Sequence, residues 1–269
     1  MSNQAELDRQ LAKIATDYRK LNVSQQEYTI KEIGRVRLEV VDLLSEYSGS
    51  DGKIKKQRLN KLLRELDAIE KMIRTNGMDA LEKVIDDTAS NTASSIKSAF
   101  TETAGVAAIS EVAFDKINKN VLRYVVNRFG DDDLVLSDRV WRLAGDQRDE
   151  LSKVIRTGII TGQSVNKISA NVRKVYENEA WKVRRLVVTE GNTAHRVATA
   201  YTGQQSRVVK AMRVHRGKAN RPDHRCTQLE LLDRYGMGAG LYKPDDPEIY
   251  MMHINCTGYL SYELNDKFK

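Results

Sequence analysis

Apolar positions in the first half of the chain recur at helical spacing. Leu7, Leu11, Ile14, Tyr18 and Leu21 alternate steps of four and three, the seam of an amphipathic helix or a short coiled coil. The pattern resumes at Ile33, Val36, Val40, Leu43, Leu44 and Tyr47, and it stops at Ser48-Gly49-Ser50-Asp51-Gly52, a turn by composition. A further helix carries Leu59, Leu62, Leu66, Ile69 and Ile73 on one face, with Asn76-Gly77 as its predicted C-terminal stop. The small, polar stretch from Thr88 to Ala113 is read as helical. Ile117, Val121, Leu122, Val125 and Phe129 then mark another helix, which ends at Gly130.

Beyond Asp131-Asp132-Asp133, a solvated turn and the predicted module boundary, Ser137 is the expected N-cap of a helix through Trp141, Leu151, Val154 and Ile155. Ser164 is the expected cap of the next, with Val165, Ile168, Val172 and Val175 inward, and a third is predicted from about Glu179 to Tyr201. The period then changes. Val208, Val209, Met212 and Val214 read as a strand, Cys226 to Tyr235 as a short helix, Gly236 to Pro247 as irregular, and Thr257 to Leu264 as a terminal strand. The expected fold class is therefore mainly α. An elongated helical N-terminal region, residues 1–130, precedes a small α+β module, residues 131–269, with a short antiparallel sheet near the C-terminus.

Composition sharpens this picture. The only prolines are Pro222, Pro244 and Pro247, so the first 220 residues lack the residue most disruptive to helices. No run approaches the roughly 18 apolar residues of a membrane span, and the N-terminus lacks a signal-peptide core, so no membrane partner is expected. The net charge of +7 favours contact with polyanions. Between Ser206 and Cys226 lie Arg207, Lys210, Arg213, Arg216, Lys218, Arg221 and Arg225, opposed locally only by Asp223. On a strand and loop they would form a one-signed surface for sequence-independent contact with the phosphates of double-stranded DNA. No aromatic residues interleave, which argues against base stacking.

The only cysteines, Cys226 and Cys256, each stand near a histidine. His224, Cys226, His253 and Cys256 together offer two imidazoles and two thiols, a donor set suited to zinc, and they are expected to converge in space. A packed cysteine pair with hydrogen-bonded histidines is the alternative. The Asp223-His224, His253 and Asn255 group also loosely resembles a metal-dependent nuclease of the His-Asn-His kind. That chemistry requires a hairpin followed by a helix bearing the metal-binding histidine, whereas the His253 segment leads into a strand-like run. The Gly236–Gly240 run lacks the strand-loop-helix context and the Lys-Ser/Thr ending of a phosphate cradle.

From about Leu134 to Leu264 the chain resembles the phage Mu F-like head morphogenesis family of minor head proteins. The pieces that carry the resemblance are LSDRVWR, IRTGIITGQSVNKISANVRKVY, RRLVVTEGNTAHRVATAYTG, RPDHR and HINCTGYL, in that order. Val188-Thr189-Glu190 stands where the family often has Arg-Thr-Glu, and Gly258 stands where many relatives carry the last cysteine of an Asn-Cys-x-Cys element. The resemblance implies a structural virion protein without catalytic activity or a small-molecule substrate. It would associate with the portal protein and the major capsid or scaffolding protein, inside the capsid at the portal vertex, after assembly in the host cytoplasm.

Overall fold

The computed structural model describes residues 2–105, 109, 112–217 and 221–269, with backbone only at residue 115. The expected class is the observed one: 71% of the described residues are helical, with a three-stranded antiparallel sheet near the C-terminus. The helices are α1 (Asn3–Glu46), α2 (Leu59–Thr103), α3 (Phe114–Asn127), α4 (Leu136–Ile160), α5 (Val165–Gln205) and α6 (Arg225–Leu231). The strands are β1 (Val209–His215), β2 (Leu241–Tyr242) and β3 (Tyr259–Leu264), in the order β2-β1-β3.

Helix α1 is continuous where the apolar seam fades between Leu21 and Ile33, because the seam runs on in polar residues. Asn22, Gln25 and Thr29 occupy the core spacing and are buried. Gln25 Nε2 donates to the Val84 carbonyl at 3.3 Å and to Thr88 Oγ1 at 3.0 Å on α2. Likewise α2 passes through the predicted stop at Asn76-Gly77. A Cβ on Gly77 would lie 3.2 Å from Val140 Cγ1, and Asn76 Nδ2 donates to the Glu32 carbonyl at 3.2 Å. Close packing there outweighs the roughly 1 kcal/mol that a helical glycine costs.

Ser164 caps α5 as expected, its Oγ accepting from the Lys167 N–H at 3.4 Å, but α5 runs unbroken through residues 176–178 to Gln205. Ser137 is not a cap, since α4 already starts at Leu136 with Val135 before it. Phe129 lies beyond α3 and is exposed, not inward. Part of the small, polar stretch, residues 106–108 and 110–111, lies outside the described residues.

Two compact units emerge, and neither is a contiguous segment. The first comprises residues 1–25, 82–133 and 185–269, and the second residues 26–81 and 134–184. One crossing falls at the Asp131–Asp133 run, but the expected 131–269 module is split, its first 50 or so residues belonging with 26–81.

In the first unit β1 is the central strand. Met212 pairs with Tyr262 of β3 and Tyr242 of β2, and all three are fully buried. Tyr262 stacks on Phe100 at 5.0 Å and donates to the Thr199 carbonyl at 2.7 Å, seating the sheet on α2 and α5. The outer edge of β3 is met by one side chain. Gln4 Nε2 donates to the Tyr262 carbonyl at 2.7 Å, and Gln4 Oε1 accepts from the Leu264 N–H at 2.8 Å, the two bonds a neighbouring strand would make.

Candidate metal centre

The last third of α5 carries the site. From Thr189 to Ala200 every residue is buried, so its polar side chains cannot be left to water. Threonines answer by bonding back one turn: Thr189, Thr193 and Thr199 hydroxyls donate to the carbonyls of Arg185, Thr189 and His195 at 2.7 to 2.8 Å. Glu190 is fully buried and accepts from Arg128 Nη2 at 2.7 Å, a desolvated ion pair tying α5 to the end of α3.

Arg196, six residues further on, is also buried, and its partners are carbonyls rather than an acid. Its Nε donates to Tyr250 O at 2.7 Å, and Nη1 donates to Gly258 O at 3.0 Å and Cys256 O at 3.3 Å. Burial pushes the guanidinium down from its ordinary range, with the Cys256 thiol acting the other way. Arginine nonetheless stays charged in proteins, so three carbonyls are aimed at a cation. The loop from Tyr250 to Gly258 is pinned to α5 in this way, and the Asn255 N–H adds a bond to Thr189 Oγ1 at 3.1 Å. Asn255 takes a positive φ of 60°, which turns the chain so that the Cys256 N–H reaches His253 O at 3.2 Å.

Three of the four expected ligands meet at this loop. The donor atoms of His224, Cys226 and His253 all lie within 4.8 Å of one another, a cluster that can hold a metal ion. His253 Nε2 is 3.1 Å from Cys226 Sγ, its Nδ1 is 2.8 Å from Ile254 O, and the two imidazole rings are 4.8 Å apart. His224 immediately precedes α6 and Cys226 sits in its first turn, buried. Cys256, the fourth expected ligand, stands outside the cluster. Its peptide is engaged by Arg196 and by His253 O, and its thiol lies 3.4 Å from where a Cβ on Gly258 would be. A side chain at 258 would also meet the His215 carbonyl at 2.6 Å, so this backbone admits no second cysteine there without moving β1.

The hairpin-then-helix context that nuclease chemistry requires is not the context of His253, which lies in a loop between a 3-10 turn (Pro247–Ile249) and β3. The basic run fares differently from its linear appearance. Arg213 pairs with Glu263, Arg216 with Glu230 and Arg225 with Glu248, each at 3.0 Å, so the fold brings acids to three cations that look unopposed in sequence. Arg207, Lys210 and Arg221 are exposed, and Lys218 lies outside the described residues. Gly236–Gly240 forms an ordered turn: Gly236, Gly238 and Gly240 take positive φ, and the Gly240 carbonyl accepts from the Val214 N–H at 2.9 Å, leading into β2.

Sequence reasoning passed over Arg128, Arg196 and the role of Glu190. Glu190 and Arg196 are the only Lys, Arg, Asp or Glu residues from Leu186 to Gln205, and no apolar period accompanies them that would mark them as buried. Comparison with known proteins gives no match to any protein-family model, to any curated protein or to any solved structure.

Proposed function

We propose that the chain is a structural minor head protein of a tailed bacteriophage, bound at the portal vertex or inner capsid, where it assists head assembly and genome packaging or ejection. One observation carries this reading. The separate pieces behind the resemblance, TEGNTAHR, RPDHR and HINCTGYL, are distant in sequence yet form one connected cluster: Arg196 grips the loop whose His253 reaches His224 and Cys226. Residues that meet only in the fold are a better reason for shared motif order than composition is. Portal protein and the major capsid or scaffolding protein are the proposed partners. Contact with duplex DNA is sequence-independent and modest, because at least three of the six described basic residues of the 207–225 run are spent on partners within the fold, Arg213 on Glu263, Arg216 on Glu230 and Arg225 on Glu248. The test is mass spectrometry of purified particles of the phage encoding the chain. It should be found in them and should co-purify with portal protein; particles without it would overturn the reading.

The same cluster is proposed to hold zinc as a structural tie between α6 and the loop before β3. A thiolate with two imidazoles is a donor set that zinc favours, and bound metal would replace the Cys226–His253 contact by bonds to a shared centre. The full chain, loaded and dialysed, should retain about one equivalent of zinc. Cys226→Ser and His253→Ala should each abolish retention, while Cys256→Ser should keep it. No retained zinc, or equal loss in Cys256→Ser, would refute the assignment.

A further inference from the structure

The second unit contains a groove that the metal centre and the basic run do not involve. It is bounded by α1 from Ile30 to Leu38 and by α5 from Tyr176 to Arg184, with Gln147 of α4 at its base, and encloses about 600 Å³. Its floor is apolar: Ile33, Ala180 and Val183 are buried there, and Leu38 stands exposed at the margin. Two polar side chains in it are unserved. Gln147 is 1% exposed and Tyr176 8%, yet Gln147 Oε1 and Tyr176 Oη have no hydrogen-bond partner. Burial pushes the Tyr176 phenol well above its usual range, while nearby Arg37 acts the other way, so the hydroxyl keeps its proton and remains a donor. An unpartnered buried polar atom costs on the order of 1–3 kcal/mol, which a bound group can recover.

The rim is cationic. Lys31, Arg37 and Arg184 border the groove and make no ion pair among the described residues, against Glu177 as its acid; Arg35 is paired with Glu32. Each wall is nine residues long, about 12 Å from end to end at the helical rise, or a little over two turns. Apolar floor, cationic rim and this length fit one occupant better than an extended or a flat one.

We propose that this groove docks an acidic amphipathic helix of another protein. Two turns of the partner would place apolar side chains on Ile33, Leu38 and Val183. A flanking carboxylate would pair with Arg37 and, with a small turn of the Tyr176 side chain, accept from its hydroxyl, while Gln147 Oε1 would accept from a second polar group. The proposal is independent of the virion reading and of zinc.

The test uses the full chain and a labelled 15-residue helical probe with Leu on one face and Glu beside it. Matched controls replace Glu by Lys or scramble the Leu spacing. Anisotropy should show the acidic probe binding at least about tenfold tighter than either control, with affinity falling as salt rises. The double variant Arg37→Glu, Arg184→Glu, with a circular dichroism melt confirming its fold, should lose about tenfold for the acidic probe and gain for the Lys probe. Tyr176→Phe, which keeps the ring, should weaken the acidic probe alone. Equal binding of all three probes, or no exchange of preference in the double variant, would overturn the proposal. So would dodecanoate binding that Arg37→Glu, Arg184→Glu abolishes while the peptides fail, which would make the groove a site for small anionic amphiphiles.

Discussion

His195 sits between two requirements, filling space against Tyr18 and staying uncharged beside Arg196. Its ring stacks on Tyr18 at 4.5 Å, and Nδ1 lies 2.8 Å from Thr92 Oγ1. Burial, with Arg196 and Arg19 adding to it, pushes the imidazole from an ordinary 6.5 down to about 3. Between those values the unfolded chain binds a proton at this residue that the folded chain refuses. Its contribution to stability is therefore complete above pH 6.5 and is lost progressively as pH falls towards 3. Urea unfolding at pH 7.5 and 5.5 should differ by about 1 kcal/mol from this histidine alone, a range in which most carboxylates do not titrate. His195→Asn, which keeps a polar atom near Thr92, should remove that part of the difference. An unchanged pH dependence in the variant would mean that His195 takes up a proton as readily in the fold as in the unfolded chain.

At the level of elements, the legible and the hidden divide along a physical line. Strand β1, strand β3 and the cap at Ser164 were readable because each is set by local chemistry: alternation in two cases and a hydroxyl before a helix in the third. The unity of α1 was not readable, because Asn22, Gln25 and Thr29 fill buried core positions with polar residues, and the Gln25 partners Val84 and Thr88 lie 59 and 63 residues away. The passage of α2 through Gly77 was hidden for the same reason, since Val140 and Ile33 decide it. Strand β2 spans two residues, too short for any periodicity, and exists through its pairing with Met212 and Arg213. The site shows the same split. Residue types marked His224, Cys226 and His253 as a group, whereas the exclusion of Cys256 depends on the Asn255 turn and the grip of Arg196, neither of which leaves a local pattern.

For the molecule as a whole, the order of segments matters more than their count. The chain passes between its two units after residues 25, 81, 133 and 184, so the first unit needs the beginning, the middle and the end of the sequence. A cut at 130, where composition places a boundary, separates residues 1–25 and 82–130 from the sheet and from α5. Fragments 1–130 and 131–269 produced singly should lack a cooperative melt, and together they should recover one; a sharp transition in 131–269 alone would contradict this division. The Gln4 side chain shows what such interleaving does at the chain's two extremities. It satisfies the Tyr262 carbonyl and the Leu264 N–H from 258 and 260 positions away, so one amide occupies two of the backbone groups through which an edge strand pairs with a neighbour. Loss of the first four residues would leave the Tyr262 carbonyl and the Leu264 N–H without this amide, opening the kind of strand edge that another chain can join.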